Sequence, residues 1–77
     1  MSMRELVLFL AKSLVDNPDQ VQVMETEGPE AIILELSVAP DDMGKVIGKQ
    51  GRIAKAIRTL VKAATAKDAK PVFVEIQ

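Results

Sequence analysis

The chain has 77 residues, a net charge of −1, no cysteine, no histidine, and Phe9 and Phe73 as its only aromatic residues. That length supports one domain over residues 1–77 with one small core, burying about 60% of the unfolded surface, so self-association would add stability. The missing cysteine excludes a disulfide framework and a thiolate metal site, and the missing histidine removes the commonest metal ligand and general base. With no convergent carboxylate pair either, catalysis is the remote reading, and no cofactor, metal or small-molecule substrate is expected. The one apolar run, Leu6 to Ala11, lies between Glu5 and Lys12 and is too short for a signal or membrane segment, so a cytoplasmic protein without membrane contact is expected.

Ser2 and Glu5 have the spacing of a capping box, and Met3, Leu6, Val7, Leu10 and Leu14 recur on one helical face, which predicts a helix from about Met3 to Val15. Asn17-Pro18 ends it, because the residue before proline avoids helical ψ. Leu8 and Phe9 fall off the main stripe, so this helix is either buried on two sides or covered by a partner. Val21 and Val23 alternate with glutamines, predicting a half-buried strand at about residues 20–25. Glu27-Gly28-Pro29-Glu30 is the turn into a better-buried strand, Ala31 to Val38, with Ile32, Leu34, Leu36 and Val38 on one face. The short connection makes these two strands antiparallel.

Ala39-Pro40-Asp41-Asp42 stops the strand, and an aspartate there can cap a short helix through Val46 and Ile47. Gly48-Lys49-Gln50-Gly51 reads as a tight turn. A helix from about Arg52 to Ala66 follows, with Ile53, Ala56, Ile57, Leu60, Val61 and Ala64 on its apolar half and Arg52, Lys55, Arg58 and Lys62 on the other. Pro71 opens a last strand, Val72 to Ile76. Reached through helices, that strand returns parallel to the one before it, so the sheet is mixed. The class expected is α+β: α-β-β-α-α-β, a three-stranded mixed sheet with the helices packed on one face.

Charge is segregated along the chain. Residues 44–70 carry eight cations against the single carboxylate of Asp68, and residues 1–43 carry nine carboxylates against Arg4 and Lys12. A basic face on an acidic body makes a local footprint for phosphate, whereas a solvated helix face would explain the same lysines if nothing else accompanied them. What accompanies them is the turn. Side chains at Gly48 or Gly51 would hold a sugar-phosphate backbone away from the peptide N–H groups, glycine tolerates positive φ, and a helix beginning at Gly51 aims its dipole at the same anion. Two other readings of these glycines fail. Gly44 to Lys49 is one residue short of a phosphate-binding P-loop and Gln50 stands where its Ser or Thr would be. Gly44 and Gly48 have a membrane-dimer spacing but lie among Asp41, Asp42, Lys45 and Lys49.

The element order and the run Val46-Ile47-Gly48-Lys49-Gln50-Gly51-Arg52 resemble a type II KH domain over the whole chain, and Val38 to Arg52 resembles the stand-alone bacterial KH proteins of the KhpA/YlqC family. The resemblance implies non-catalytic binding of single-stranded RNA in a groove taking about four nucleotides. It implies, too, dimerisation with a second copy or with a larger KH-containing protein of the Jag type, and a role as RNA chaperone or post-transcriptional regulator. By position, Gly48, Lys49, Gln50 and Gly51 are the GXXG loop, with Val46, Ile47 and Ile57 as supporting aliphatics that also offer surface to bases. Lys45, Arg52 and Lys55 are the neighbouring phosphate contacts. Ala54 departs from the family pattern, which often has a large aliphatic there, so the groove floor is shallower or Ile53 substitutes. Ile53 itself is read either as core or as a contact to a base or a second subunit. With two aromatic residues the chain lacks the stacking platforms of RRM or OB-fold proteins. The rival class is a protein-interaction module that docks a Jag-type partner and binds little RNA of its own.

Overall fold

The computed structural model describes residues 2–77, with the backbone alone at Lys49 and Gln50. The order is α1 (Met3–Leu14), a 3-10 turn (Pro18–Gln20), β1 (Gln22–Glu27), β2 (Ile32–Ser37), α2 (Pro40–Ala64) and β3 (Val72–Ile76). The capping box forms: the Glu5 N–H donates to Ser2 Oγ at 3.1 Å and the Ser2 N–H to Glu5 Oε1 at 3.4 Å, satisfying donors that the helix start leaves unpaired.

The sheet order is β1-β2-β3, with β1 antiparallel and β3 parallel to β2. Val23 pairs with Leu36, Leu34 with Val74 and Leu36 with Ile76, so one face of the sheet collects the aliphatics. Leu34 and Leu36 are fully buried there beneath Val7 and Ala11 of α1 and Val46, Ile57 and Val61 of α2. β2 is flanked on both sides, which is why it is the best-buried strand, whereas β1 buries only Val23. The edge strands are blunted in the same way at either side. Arg4 Nε donates to the Val23 carbonyl at 2.9 Å and Arg58 Nε to the Val74 carbonyl at 3.2 Å, so helix-borne guanidinium groups occupy acceptors that a foreign strand could use.

Three expectations are corrected in detail. The first strand begins two residues later than its valines suggest, because the 3-10 turn after Pro18 takes up Asp19 and Gln20. In the second half of α2 the buried stripe is Ala54, Ile57 and Val61, with Ile53 partly buried, while Ala56 and Ala64 are exposed and Leu60 is 46% exposed. Arg58 reaches β3 from the flank, its Nε donating to the Val74 carbonyl, and Leu60 is left on the exposed side. Finally, the helix start is uncapped by side chains: Ala39 is the N-cap and Pro40 the first helical residue, where its missing N–H costs nothing. Asp41 and Asp42 favour the positive helix end through the dipole, but Asp42 binds elsewhere.

Candidate nucleic-acid interface

Helical backbone runs through Gly48 to Gly51, so the expected loop is tighter than an open connection between two helices. Its one departure is Gly51, at φ 68°. A left-handed residue cannot continue a right-handed helix, and a residue with a Cβ would pay about 1–2 kcal/mol to adopt it. α2 is therefore divided at Gly51 into an arm that leads in from Pro40 and an arm that leads out to Ala64, preserving the helix-strand-strand-helix-helix-strand order. A Cβ at Gly48 or Gly51 would meet nothing within 4 Å, so the protein's own packing does not demand glycine at Gly48, and the conformational demand falls on Gly51.

The leading arm is fixed by a buried carboxylate. Asp42 is 1% exposed; its Oδ1 accepts the Asp16 N–H at 3.0 Å, and its Oδ2 accepts the Asn17 N–H at 3.0 Å and the Asn17 side-chain amide at 3.1 Å. Burial by itself would push this carboxyl up. The hydrogen bonds from the Asp16 N–H, the Asn17 side chain and the Asn17 N–H, with the Lys45 cation nearby, outweigh burial and hold it below the ordinary carboxylate value. The expected capping aspartate thus ties α2 to the end of α1 instead of capping its own helix. Nothing in the spacing of residues 25 positions apart could have announced it.

Around the turn, the structure separates the sequence candidates into three groups. Val46 and Ile57 are each 1% exposed and belong to the core, so they support the site from beneath and do not offer the base-contacting surface expected of them. Ile47 is 53% exposed and Ile53 half-buried against the core, leaving these two as the accessible aliphatics. Lys45, Arg52 and Lys55 are exposed, and Gly48 and Gly51 are half-exposed. Lys45 is engaged: its Nζ donates to Asp16 Oδ2 at 2.9 Å. The side chains of Lys49 and Gln50 lie outside the described set. Ala54 is buried at 4%, and Ile53 beside it is partly buried against the core.

Sequence reasoning passed over a second feature, a cleft of about 610 Å³ between the trailing arm of α2, the connection after it and β3. Arg58, Lys62, Lys67, Val72 and Phe73 are among its walls. The signal available was the four-residue spacing of Arg58 and Lys62, which a solvated helix face explains equally well.

A mixed three-stranded sheet covered on one face by helices, with a glycine-bearing break inside the helical run that follows the central strand, defines a type II KH domain. The family model described as KhpA/KhpB, KH domain, matches residues 4–76. The chain belongs to this family. It is 69% identical over 74 residues to the RNA-binding protein KhpA of Caldanaerobacter subterraneus subsp. tengcongensis, a match covering 96% of this chain and 99% of the relative. Identity to the RNA-binding protein KhpA of Clostridium acetobutylicum is 68% over the same coverage, and to that of Aquifex aeolicus 49%, covering 97% of this chain and 95% of the relative. Among solved structures, the crystal structure of Aquifex aeolicus Era bound to GDP and aluminium fluoride superposes with a TM-score of 0.59 at 23% identity, covering 96% of this chain and 27% of that one. That likeness concerns the fold alone.

Proposed function

We propose that this protein binds single-stranded RNA at the Gly51 break, without catalysis and with little sequence preference, as an RNA chaperone or post-transcriptional regulator in the bacterial cytoplasm. The observation that carries the reading is the convergence of a left-handed glycine, exposed Lys45, Arg52 and Lys55, and exposed Ile47 on one rigidly anchored helical run. Its relatives, named as RNA-binding proteins, support it. In this account the Gly48 to Gly51 backbone approaches phosphate closely, Lys49, Arg52, Lys45 and Lys55 attract it, and Ile47 and Ile53 pack against bases while Val46 and Ile57 hold them in place. Phosphate contacts of this kind set position and leave sequence largely unread.

A second reading concerns partners. Phe9 is 62% exposed, and Leu14 and Leu60 are exposed too, an amount of apolar helix surface that favours association with a second copy or with a Jag-type KH protein. The family model spans KhpA and KhpB, which agrees with such a partner. RNA binding and dimerisation are compatible. Among the described residues no helix is long and apolar enough to cross a membrane.

The test is fluorescence anisotropy with a short single-stranded RNA pool, comparing the wild type with Lys49→Asp/Gln50→Asp, circular dichroism verifying both folds. Binding lost with the fold intact supports the reading; equal binding by the two proteins removes the site from the Gly51 break.

A further inference from the structure

The helices cover one face of the sheet, and the other face is bare. Strand alternation sets Met24 and Thr26 of β1, Ile33 and Glu35 of β2, and Phe73 and Glu75 of β3 on that outer side. Register arranges them in two rows across the strands: Thr26, Ile33 and Phe73 in one, Met24, Glu35 and Glu75 in the next. A sheet face that meets only water carries polar residues at such positions. Here Phe73 is 55% and Met24 69% exposed, and Ile33 stands between them on the central strand, directly beside Phe73 and diagonal to Met24. The three form one apolar patch, not scattered side chains.

The charges beside the patch have one sign. Glu35 and Glu75 are paired across β2 and β3, about 4.8 Å apart by the spacing of a sheet, and like charges so placed repel. No lysine or arginine lies on any of the three strands. Among the described residues the ion pairs are Lys45 with Asp16 and Lys70 with Glu27, and the contact made to Glu35 is the neutral amide of Gln77. This face repels phosphate and anionic lipid and attracts a cation. Its edges do not invite an added strand, since Arg4 and Arg58 hold the Val23 and Val74 carbonyls, so an occupant lies across the face. Three strands of five or six residues give a platform of roughly 10 by 17–20 Å, the footprint of one helix of about three turns.

We infer that the outer sheet face docks an amphipathic helix with a basic flank, contributed by another protein: its apolar stripe covers Phe73, Ile33 and Met24, and a lysine or arginine bridges Glu35 and Glu75. The chain's own cationic helix does not qualify as the occupant, because the apolar stripe of its trailing arm, Ile57 and Val61, is spent on the core. A helix docked here adds a third layer to a sheet with helices on one side only. The surface is on the side of the sheet away from α1 and α2, so it stands apart from the Gly51 break and from the exposed Phe9 and Leu60, and does not rest on the RNA reading.

The experiment follows amide shifts of the isotope-labelled protein during titration with two synthetic amphipathic helical peptides of about 12 residues, one of leucine and lysine, the other of leucine and glutamate. Wild type is compared with Met24→Gln/Phe73→Ser and with Glu35→Gln/Glu75→Gln, circular dichroism verifying each fold; should the apolar variant fail to fold, the charge variant carries the test. The leucine–lysine peptide should move the amides of Met24, Ile33, Glu35, Phe73 and Glu75, and the leucine–glutamate peptide should not. Met24→Gln/Phe73→Ser should weaken binding at least about tenfold. Glu35→Gln/Glu75→Gln should weaken it about threefold at low salt, a difference that vanishes at high salt. Binding of neither peptide, equal binding of both, shifts centred on Phe9 and Leu60, or face variants that bind as the wild type does would each overturn the inference. So would a single-stranded RNA that moves the same amides, which would make the face part of the RNA site. Sedimentation showing that Met24→Gln/Phe73→Ser disrupts self-association would overturn it too, because a second copy would then be the occupant.

Discussion

The two arms of α2 are held to the same small body by different physics. The trailing arm is held chiefly by aliphatic burial, Ile57 and Val61 joining Leu34, Leu36 and Val74 in one cluster with Arg58 bonded to the Val74 carbonyl at its flank, and that burial is indifferent to pH. On the leading arm Val46 is buried likewise, but the distinctive tie is Asp42, a buried carboxylate whose acceptors are filled by the Asp16 and Asn17 amides. The apolar attachment is non-directional and gives stability. The polar one is directional, so it fixes where the arm starts and hence where Gly51 presents its turn.

The largest expected effect is on the apolar side. Ile57→Ala removes a fully buried side chain at the centre of the core and should cost about 2–5 kcal/mol, read by urea unfolding with an unchanged slope. A cost below 1 kcal/mol would mean that the trailing arm is held otherwise. On the polar side, Asp42→Ala orphans the amides of Asp16 and Asn17, and hydrogen exchange at those two positions should quicken far more than at Leu34. Uniform quickening would make Asp42 an ordinary core residue.

The same carboxylate gives the two arms different pH behaviour. Its folded pKa lies below the ordinary value of 3.8, so its contribution is fully present above that value and is lost as pH falls through the lower, folded one. Lowering the pH below about 3.8 should therefore loosen the leading arm before the trailing arm, with no change between neutral pH and that value, and Asp42→Asn should flatten that dependence. Glu27 is also shifted down, by its hydrogen bond to Lys70 and by the charge of that lysine, but its exposure makes it a minor contributor.

Next in size is Gly51→Ala, with a cost of about 1–2 kcal/mol for forcing a side chain to φ 68°. Gly48→Ala carries no such conformational cost, so RNA affinity falling without loss of stability in that variant would identify Gly48 as a point of close approach. The smallest effect is at Asp16. Asp16→Asn frees Lys45 while keeping the backbone amide on Asp42, and should raise RNA affinity by about twofold at low salt, fading as salt screens the charge.

Much of this fold is written in short-range pattern. Ser2 and Glu5 specify the start of α1, Asn17-Pro18 its end, and the alternation around Leu34, Leu36 and Val74 the mixed sheet, because capping and pleat act over a few residues. The stripe on the trailing arm was legible only to within a rotation: periodicity brings Leu60 in with Ile57 and Val61, whereas in the folded chain Arg58 bonds to β3 and Leu60 is left exposed. Of the site, the glycine break and the cations were visible in the sequence, while the burial of Val46 and Ile57 against the exposure of Ile47 depends on how the arms seat. Asp42 looked like a helix cap because its partners, Asp16 and Asn17, meet it only in the folded chain. The α2–β3 cleft was hidden for the same reason, its walls being drawn from three separate elements.

The most direct test of RNA clamping at the Gly51 break is the salt dependence of binding to a short single-stranded RNA, measured for the wild type and for Lys49→Asp/Gln50→Asp. With about three phosphates neutralised, log K for the wild type should fall with log salt at a slope of roughly −2, and the variant should show no measurable binding with its fold intact. A wild-type slope near zero, or a variant that binds with the wild-type slope, would contradict the account.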